Sequence, residues 1–301
     1  MSVRTASLLC FAFWCIAVAG CSRERNQASE RDPVLERELG LYLSAIAAVQ
    51  ERYVDVDKVQ LDFLISNSLR GVVETIDPHA FILPQGESPT DEPVPEDAPP
   101  LEMLGHEEGD ILVVKIYRFD STVRRSMRTL EQAVRTRKSP AGILIDGRDA
   151  IGHDYDAALA VGELFMEKGT MMGTIVESQG GKKTPLVTKR APIWPDSMLV
   201  TLIDDETSGP MELLAGALKQ HRKAVLVGEP TRGVAVIRSP LKLLPDWTVM
   251  LTTGQLLDAE GRTITGNPLT PDIIAQPAPD SRENVDWLYR RGIIALRDLG
   301  F

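Results

Sequence analysis

From Leu35 the apolar residues Leu35, Leu39, Tyr42, Leu43, Ile46 and Val49 recur at steps of three and four, the spacing that lays one apolar stripe along an α-helix. Between Val56 and Val73 the pattern repeats with Val59, Phe63, Ile65 and Leu69. Two helices, each burying one face, are therefore predicted ahead of "TIDPHAFILP" at Thr75–Pro84. There Asp77-Pro78 marks a turn, because proline fixes its own φ and steers the preceding residue away from helix. Residues 85–102 hold five prolines and six acidic side chains. Proline has no N–H for a ladder or a helix interior, so this stretch is predicted to be a linker.

Beyond it, apolar runs of strand length alternate with helical patterns. "GDILVVKIYRF" reads as a strand, Val123–Thr136 as a helix and "SPAGILIDGRD" as a buried parallel strand entering a turn. Tyr155–Lys168 reads as a helix, Thr174–Glu177 and "SMLVTLID" as strands, "TSGPMELLAGAL" as a turn opening a helix, and "AVLVGE" as a strand. This alternation predicts an α/β core around a largely parallel sheet. In the tail "ENVDWLYRRGIIALRDLGF", Val285, Leu288, Ile293 and Leu296 share one face, with Arg290, Arg291 and Arg297 among them. That helix packs either on its own core or on a second subunit.

At the start, Arg4 precedes the apolar run Ala6–Ala19, which is too short for a helix spanning a bilayer and reads as a signal peptide. Its end, Val18-Ala19-Gly20-Cys21, resembles the lipobox of bacterial lipoproteins, which makes Cys21 the lipidated mature N-terminus. The alternative is an ordinary signal peptide cut after small residues. Ser22 after the cysteine implies sorting to the outer membrane, facing the periplasm. The charged stretch "SRERNQASERDP" that follows looks like a flexible tether. The predicted organisation is thus a signal peptide (1–20), a tether (21–34), a helical segment (35–84), a linker (85–104), a core (105–277) and a C-terminal helix (278–301).

Composition narrows the function classes. The 301 residues are 43% hydrophobic and 25% charged, which is ordinary for a globular chain. All three cysteines, Cys10, Cys15 and Cys21, fall in the first 21 residues, so the body forms no internal disulfide and no thiolate metal site. No cofactor or metal is predicted. The net charge of -10 is spread without a basic stripe, which argues against nucleic acid as a partner.

Four stretches, in order, resemble the carboxyl-terminal processing peptidases, or tail-specific proteases, secreted serine peptidases that use a serine and lysine pair. "ERYVDVDKVQLDFLISNSLRGVVETIDPHAFIL" resembles their N-terminal helical segment, and "GILIDGRDAIGHDYDAALAVGELFMEKG" their strand and glycine turn. "ETSGPMELLAGALKQHRKAVLVGEPTRGVAV" resembles the nucleophile turn, helix and lysine loop, and "LTTGQLLDAEGRTITGNPLTPDI" the closing segment. The resemblance covers most of residues 45–275 and implies the family's spiral ββα core.

It also implies where catalytic residues belong, and here they are missing. In the frame set by Glu212, the serine position holds Gly209, and the lysine position, 25 residues on, holds Val234. The glutamine that orients the lysine is Arg238, a permanently charged side chain that cannot accept a hydrogen bond. One oxyanion donor is the N–H following the serine, but that residue is Pro210, which has none. The other comes from a Gly-Gly turn, here Gly152-His153. Glycine as N-cap, proline at the first helical position and Glu212 at the third also make a sound helix start with no chemistry attached. The alternative is a relocated site with Ser208 as nucleophile and His153 as base. The family's PDZ domain has no room where the linker stands. The resemblance therefore implies an exported pseudopeptidase that binds a peptide, an envelope protein or a related active peptidase, alone or in an oligomer.

Overall fold

The structure, a computed structural model, describes residues 32–83, 99–105, 110–134, 139–178, 181–244, 247–275 and 286–300. The signal peptide, Cys21, most of the tether, Pro84 and residues 85–98 of the predicted linker lie outside these. The chain divides into two compact units, Met1–Val72 and Val73–Phe301.

In the first unit α1 (Pro33–Arg52) starts where Asp32 caps it, the carboxylate accepting Val34 N–H at 2.9 Å with Pro33 at the first helical position. The helix is as predicted, but its stripe is not buried: Leu35, Leu39 and Leu43 are more than half exposed. The second predicted helix is split. A 3₁₀ turn (Val56–Val59) and α2 (Leu61–Ile76) are separated by Gln60 in extended backbone, a break that apolar spacing alone does not reveal.

The second unit is built on two sheets. In chain order its elements are β1 (Phe81–Leu83), β2 (Leu101–Gly105), β3 (Ile111–Ile116), β4 (Arg118–Phe119), α3 (Val123–Val134), β5 (Gly142–Asp146), β6 (Ile151–Gly152) and α4 (Tyr155–Gly162). They continue as β7 (Met171–Glu177), β8 (Lys183–Val187), β9 (Met198–Ile203), α5 (Pro210–Arg222), β10 (Val225–Gly228), β11 (Val236–Leu244), β12 (Trp247–Asp258), β13 (Ile273–Ile274) and α6 (Trp287–Asp298). β2 begins inside the span read as linker. α4 is shorter than predicted, ending at Gly162. There Leu164 and Phe165 donate to Val161 and Gly162, tightening the chain out of α-helical pitch.

One sheet has the order β13-β10-β9-β5-β3-β2, parallel throughout except where β2 pairs antiparallel with β3. Its strands read as unbroken apolar runs because both faces are covered. Ile143 and Ile145 of β5 turn to a core shared with α4 and α5, whereas Leu144 turns to one shared with α6. α6 lies close on that second face. A Cβ at Gly292 would stand 2.7 Å from Leu202 and 2.8 Å from Leu144, so glycine sets the approach. Leu288, Ile293 and Leu296 are buried there, so of the two placements foreseen for this helix its apolar face packs on its own core.

The other sheet is antiparallel, β1-β12-β7-β8 with β11 added on β12. The sequence pattern showed only part of β7. Pro240 interrupts the β11 run, and proline within a sheet belongs on an edge, where β11 stands. The Asp-Pro-His turn is tied to this sheet. Asp77 caps it by accepting His79 N–H at 3.0 Å and receives Thr252 N–H at 2.7 Å and Thr252 Oγ1 at 3.1 Å.

Candidate functional site

Three turns meet beyond the carboxyl ends of β5, β9 and β10, the edge of a parallel sheet where loops from neighbouring strands gather. The turn after β9 is braced from within. Thr207, fully buried, donates its N–H and hydroxyl to Asp204 at 2.9 and 2.7 Å, and its carbonyl accepts Arg232 N–H at 2.9 Å. Ser208, half-buried, follows, with its carbonyl accepting Met211 N–H at 3.2 Å.

Gly209 caps α5 at φ 56°, ψ -120°, a conformation that costs side-chain-bearing residues dearly and glycine little. Its N–H is shared between the Val234 carbonyl at 2.9 Å and a Glu212 carboxylate oxygen at 3.1 Å. Pro210 occupies the first helical position, where its missing N–H costs the helix nothing. A Cβ built at Gly209 would meet nothing closer than the Tyr155 hydroxyl at 3.7 Å, with the Gly152 and Val234 carbonyls at 3.9 Å. The structure thus brings together Gly209, Val234 and Gly152, the residues at which the resemblance sets a nucleophile, its base and the oxyanion turn.

Glu212 holds that arrangement. Its side chain is fully buried, and each carboxylate oxygen receives two donors. Thr231 Oγ1 at 2.5 Å and Gly233 N–H at 2.7 Å meet one; Val234 N–H at 3.0 Å and Gly209 N–H at 3.1 Å meet the other. Burial pushes its pKa above the usual glutamate range, and the four hydrogen bonds oppose that rise. One side chain thereby ties the start of α5 to the loop carrying Val234. The sequence pattern indicated only a favourable helix-start residue here. The fuller role follows from the loop returning over it.

Tyr155, the first residue of α4, was not singled out in the sequence. It is buried, donates its hydroxyl to the Val236 carbonyl at 3.3 Å, and is held well above the ordinary tyrosine pKa by burial and by the Glu212 charge, against an opposing effect of Arg238. A phenol so held is not a base at neutral pH. Arg238 places its guanidinium over the Phe81 ring, 5.7 Å from the centroid. Gly152, at φ 111°, runs against β4. A Cβ there would lie 2.3 Å from the Phe119 carbonyl, so the backbone itself demands glycine. His153 beside it is exposed.

A second polar cluster marks the end of β5. Arg148 meets Asp146 at 2.9 and 2.7 Å and Asp286, the cap of α6, at 2.8 and 2.6 Å, while Lys115 approaches Asp146 at 3.3 Å. Arg148 thus fastens the turn leading to Gly152 to the start of α6.

Known proteins resemble this chain in sequence and in fold. A carboxy-terminal-processing protease of Bartonella bacilliformis is 27% identical over 187 residues, 60% of this chain and 42% of the relative. The chain spans less than half the length of the curated relatives it matches. Two solved structures share the fold. A candidate peptidase from Parabacteroides merdae superposes with TM-score 0.63 at 14% identity, covering 84% of this chain and 95% of that one. A lipoprotein from Streptococcus agalactiae superposes with TM-score 0.57 at 16% identity, covering 78% and 81%. Residues 110–275, more than half the chain, match the profile of peptidase family S41. The chain belongs to peptidase family S41.

Proposed function

We propose that this protein is an S41 pseudopeptidase: an exported lipoprotein, anchored at Cys21 in the outer membrane and facing the periplasm, that binds a peptide, an envelope protein or a related active peptidase without cutting it. One observation carries the reading. The turn for a nucleophile is kept in shape by Glu212, yet the positions facing one another across it are Gly209 and Val234. Neither supplies a hydroxyl to attack or an amine to take the proton, and Pro210 offers no N–H to a developing oxyanion. Arg238, stacked on Phe81, leaves no amide acceptor at the third position.

The test is proteolysis by the full-length lipoprotein in detergent, incubated with an unstructured substrate ending in an apolar tail and followed by mass spectrometry. No cleavage is expected. A second reading, a rewired peptidase, draws on Ser208 lying half-buried beside the cap and His153 lying exposed on the Gly152 turn. Cleavage that disappears in both Ser208→Ala and His153→Ala would establish it and overturn the first.

A further inference from the structure

The vestigial turn has a second side. Behind α5 lies a cavity of about 660 Å³, between one face of the helix and the segment from Asp258 to Thr270. Helical spacing puts Leu213, Gly216, Ala217 and Gln220 on that face, at steps of three and four, and Gly216 adds width because it presents no side chain. The floor is apolar: Met172, Leu213, Ala217, Ile264 and Leu269 line it. Glu212 is among the lining residues but neither Gly209 nor Val234 is, so the cavity lies behind the site described above and touches it through Glu212.

The charges at the rim are satisfied within the protein. Lys219 pairs with Asp272 at 2.7 Å and donates to the Thr270 carbonyl, and Arg262 pairs with Asp258 at 2.8 Å and Glu260 at 2.6 Å. Gln220 donates to Glu260 at 3.3 Å. An ionic ligand would compete with these pairs and gain nothing from an apolar floor, where a charge is costly to desolvate. A neutral one would leave the rim intact and cover the floor. The volume lies within the usual range for small-ligand pockets, roughly 300–1,000 Å³. The Gln220 and Asn267 carboxamides stand at the mouth, where they offer neutral polar contacts.

The far wall leads back to Glu212. Leu269 exchanges hydrogen bonds with Thr231, its carbonyl accepting Thr231 N–H at 3.1 Å and its N–H donating to Thr231 Oγ1 at 2.9 Å. The same Thr231 hydroxyl donates to Glu212. Gly266 N–H donates to the Gly233 carbonyl at 2.9 Å, so the wall segment holds the loop from both ends. We propose that this cavity binds a small neutral ligand with an apolar body, and that occupancy steadies the Gly233–Val234 loop through Leu269, Thr231 and Glu212.

The test titrates the full-length protein with the neutral fluorophore N-phenyl-1-naphthylamine and, in parallel, with its anionic relative 8-anilinonaphthalene-1-sulfonate. Saturable binding that favours the neutral probe is expected. Gly216→Leu, which fills the floor, and Gln220→Trp, an exposed change that blocks the mouth without touching the core, should each weaken it by about tenfold or more, a factor equal to 1.4 kcal/mol. The second variant keeps the test decisive if the first does not fold. Hydrogen exchange at the Gly233 and Val234 amides should slow when the probe binds the unaltered protein. Binding unchanged in both variants, or equal affinity for the anionic probe, overturns the site. Binding lost in the variants with exchange unaltered by the probe overturns the link to the loop.

Discussion

Glu212 receives the Val234 N–H at 3.0 Å and the Gly209 N–H at 3.1 Å, so one carboxylate fastens both residues that the resemblance sets at the base and nucleophile positions. Replacement by glutamine keeps the shape but turns one acceptor oxygen into an NH₂ group facing donors. At least two of the four hydrogen bonds then fail in a buried setting, at about 1–3 kcal/mol for each donor left unpaired. Glu212→Gln is expected to destabilise the protein by several kcal/mol in chemical denaturation. Unchanged stability would show that the loops hold without it.

The cap at Gly209 invites the reverse experiment. There is room for a side chain, but the backbone at φ 56° charges any residue other than glycine about 1–3 kcal/mol. Gly209→Ser is therefore expected to lower the melting temperature by several degrees without restoring cleavage, since Val234 and Pro210 remain. A stability equal to the parent would refute the strain.

The clamp between Arg148 and Asp286 carries a pH dependence. Burial acts to raise the Asp286 pKa, but hydrogen bonds from Arg148 and from Tyr289 N–H, with the charges of Arg148 and Lys115, hold it below the ordinary 3.8. A depressed carboxyl contributes stability above its unfolded value and loses it as pH falls through the folded one. Unfolding measured from pH 7 down to pH 2 should show Asp286→Asn less stable than the parent at neutral pH, with the gap closing below about pH 4. A gap that stays constant with pH would refute the lowered pKa.

Asp77 makes a similar contribution at the Asp-Pro-His turn. Burial opposes ionisation, and bonds from Thr252 and His79 outweigh it, so its pKa is lowered. Asp77→Ala leaves the Thr252 N–H without its acceptor, and a loss of about 1–3 kcal/mol is expected. Faster exchange of the Thr252 amide in the variant would localise the loss to the contact between the Asp77 turn and β12.

Much of the parallel sheet was legible because strands buried on both faces appear as plain apolar runs: "GILID", "MLVTLI" and "VLVG" could hardly be anything else. The antiparallel sheet was not. Its long strand β11 mixes Arg238, Pro240 and Lys242 with apolar residues, since it lies at an edge with much of its length exposed. At the site, Gly209, Val234 and Pro210 were singled out by the resemblance, in the frame set by Glu212. Tyr155 and the Thr231–Glu212 bond were not, because both arise from contacts between segments far apart in the chain.

Pro240 has a consequence for how this molecule meets its own kind. An exposed strand border is the usual template on which copies of a protein polymerise, each adding a row of main-chain bonds to the last. With a proline in the middle of β11, opposite Met250, that row is broken halfway along, and the cations Arg238 and Lys242 stand to either side of the break. Many copies of this sheet can thus stand close together without seeding fibres from β11, the longest open margin among its described strands.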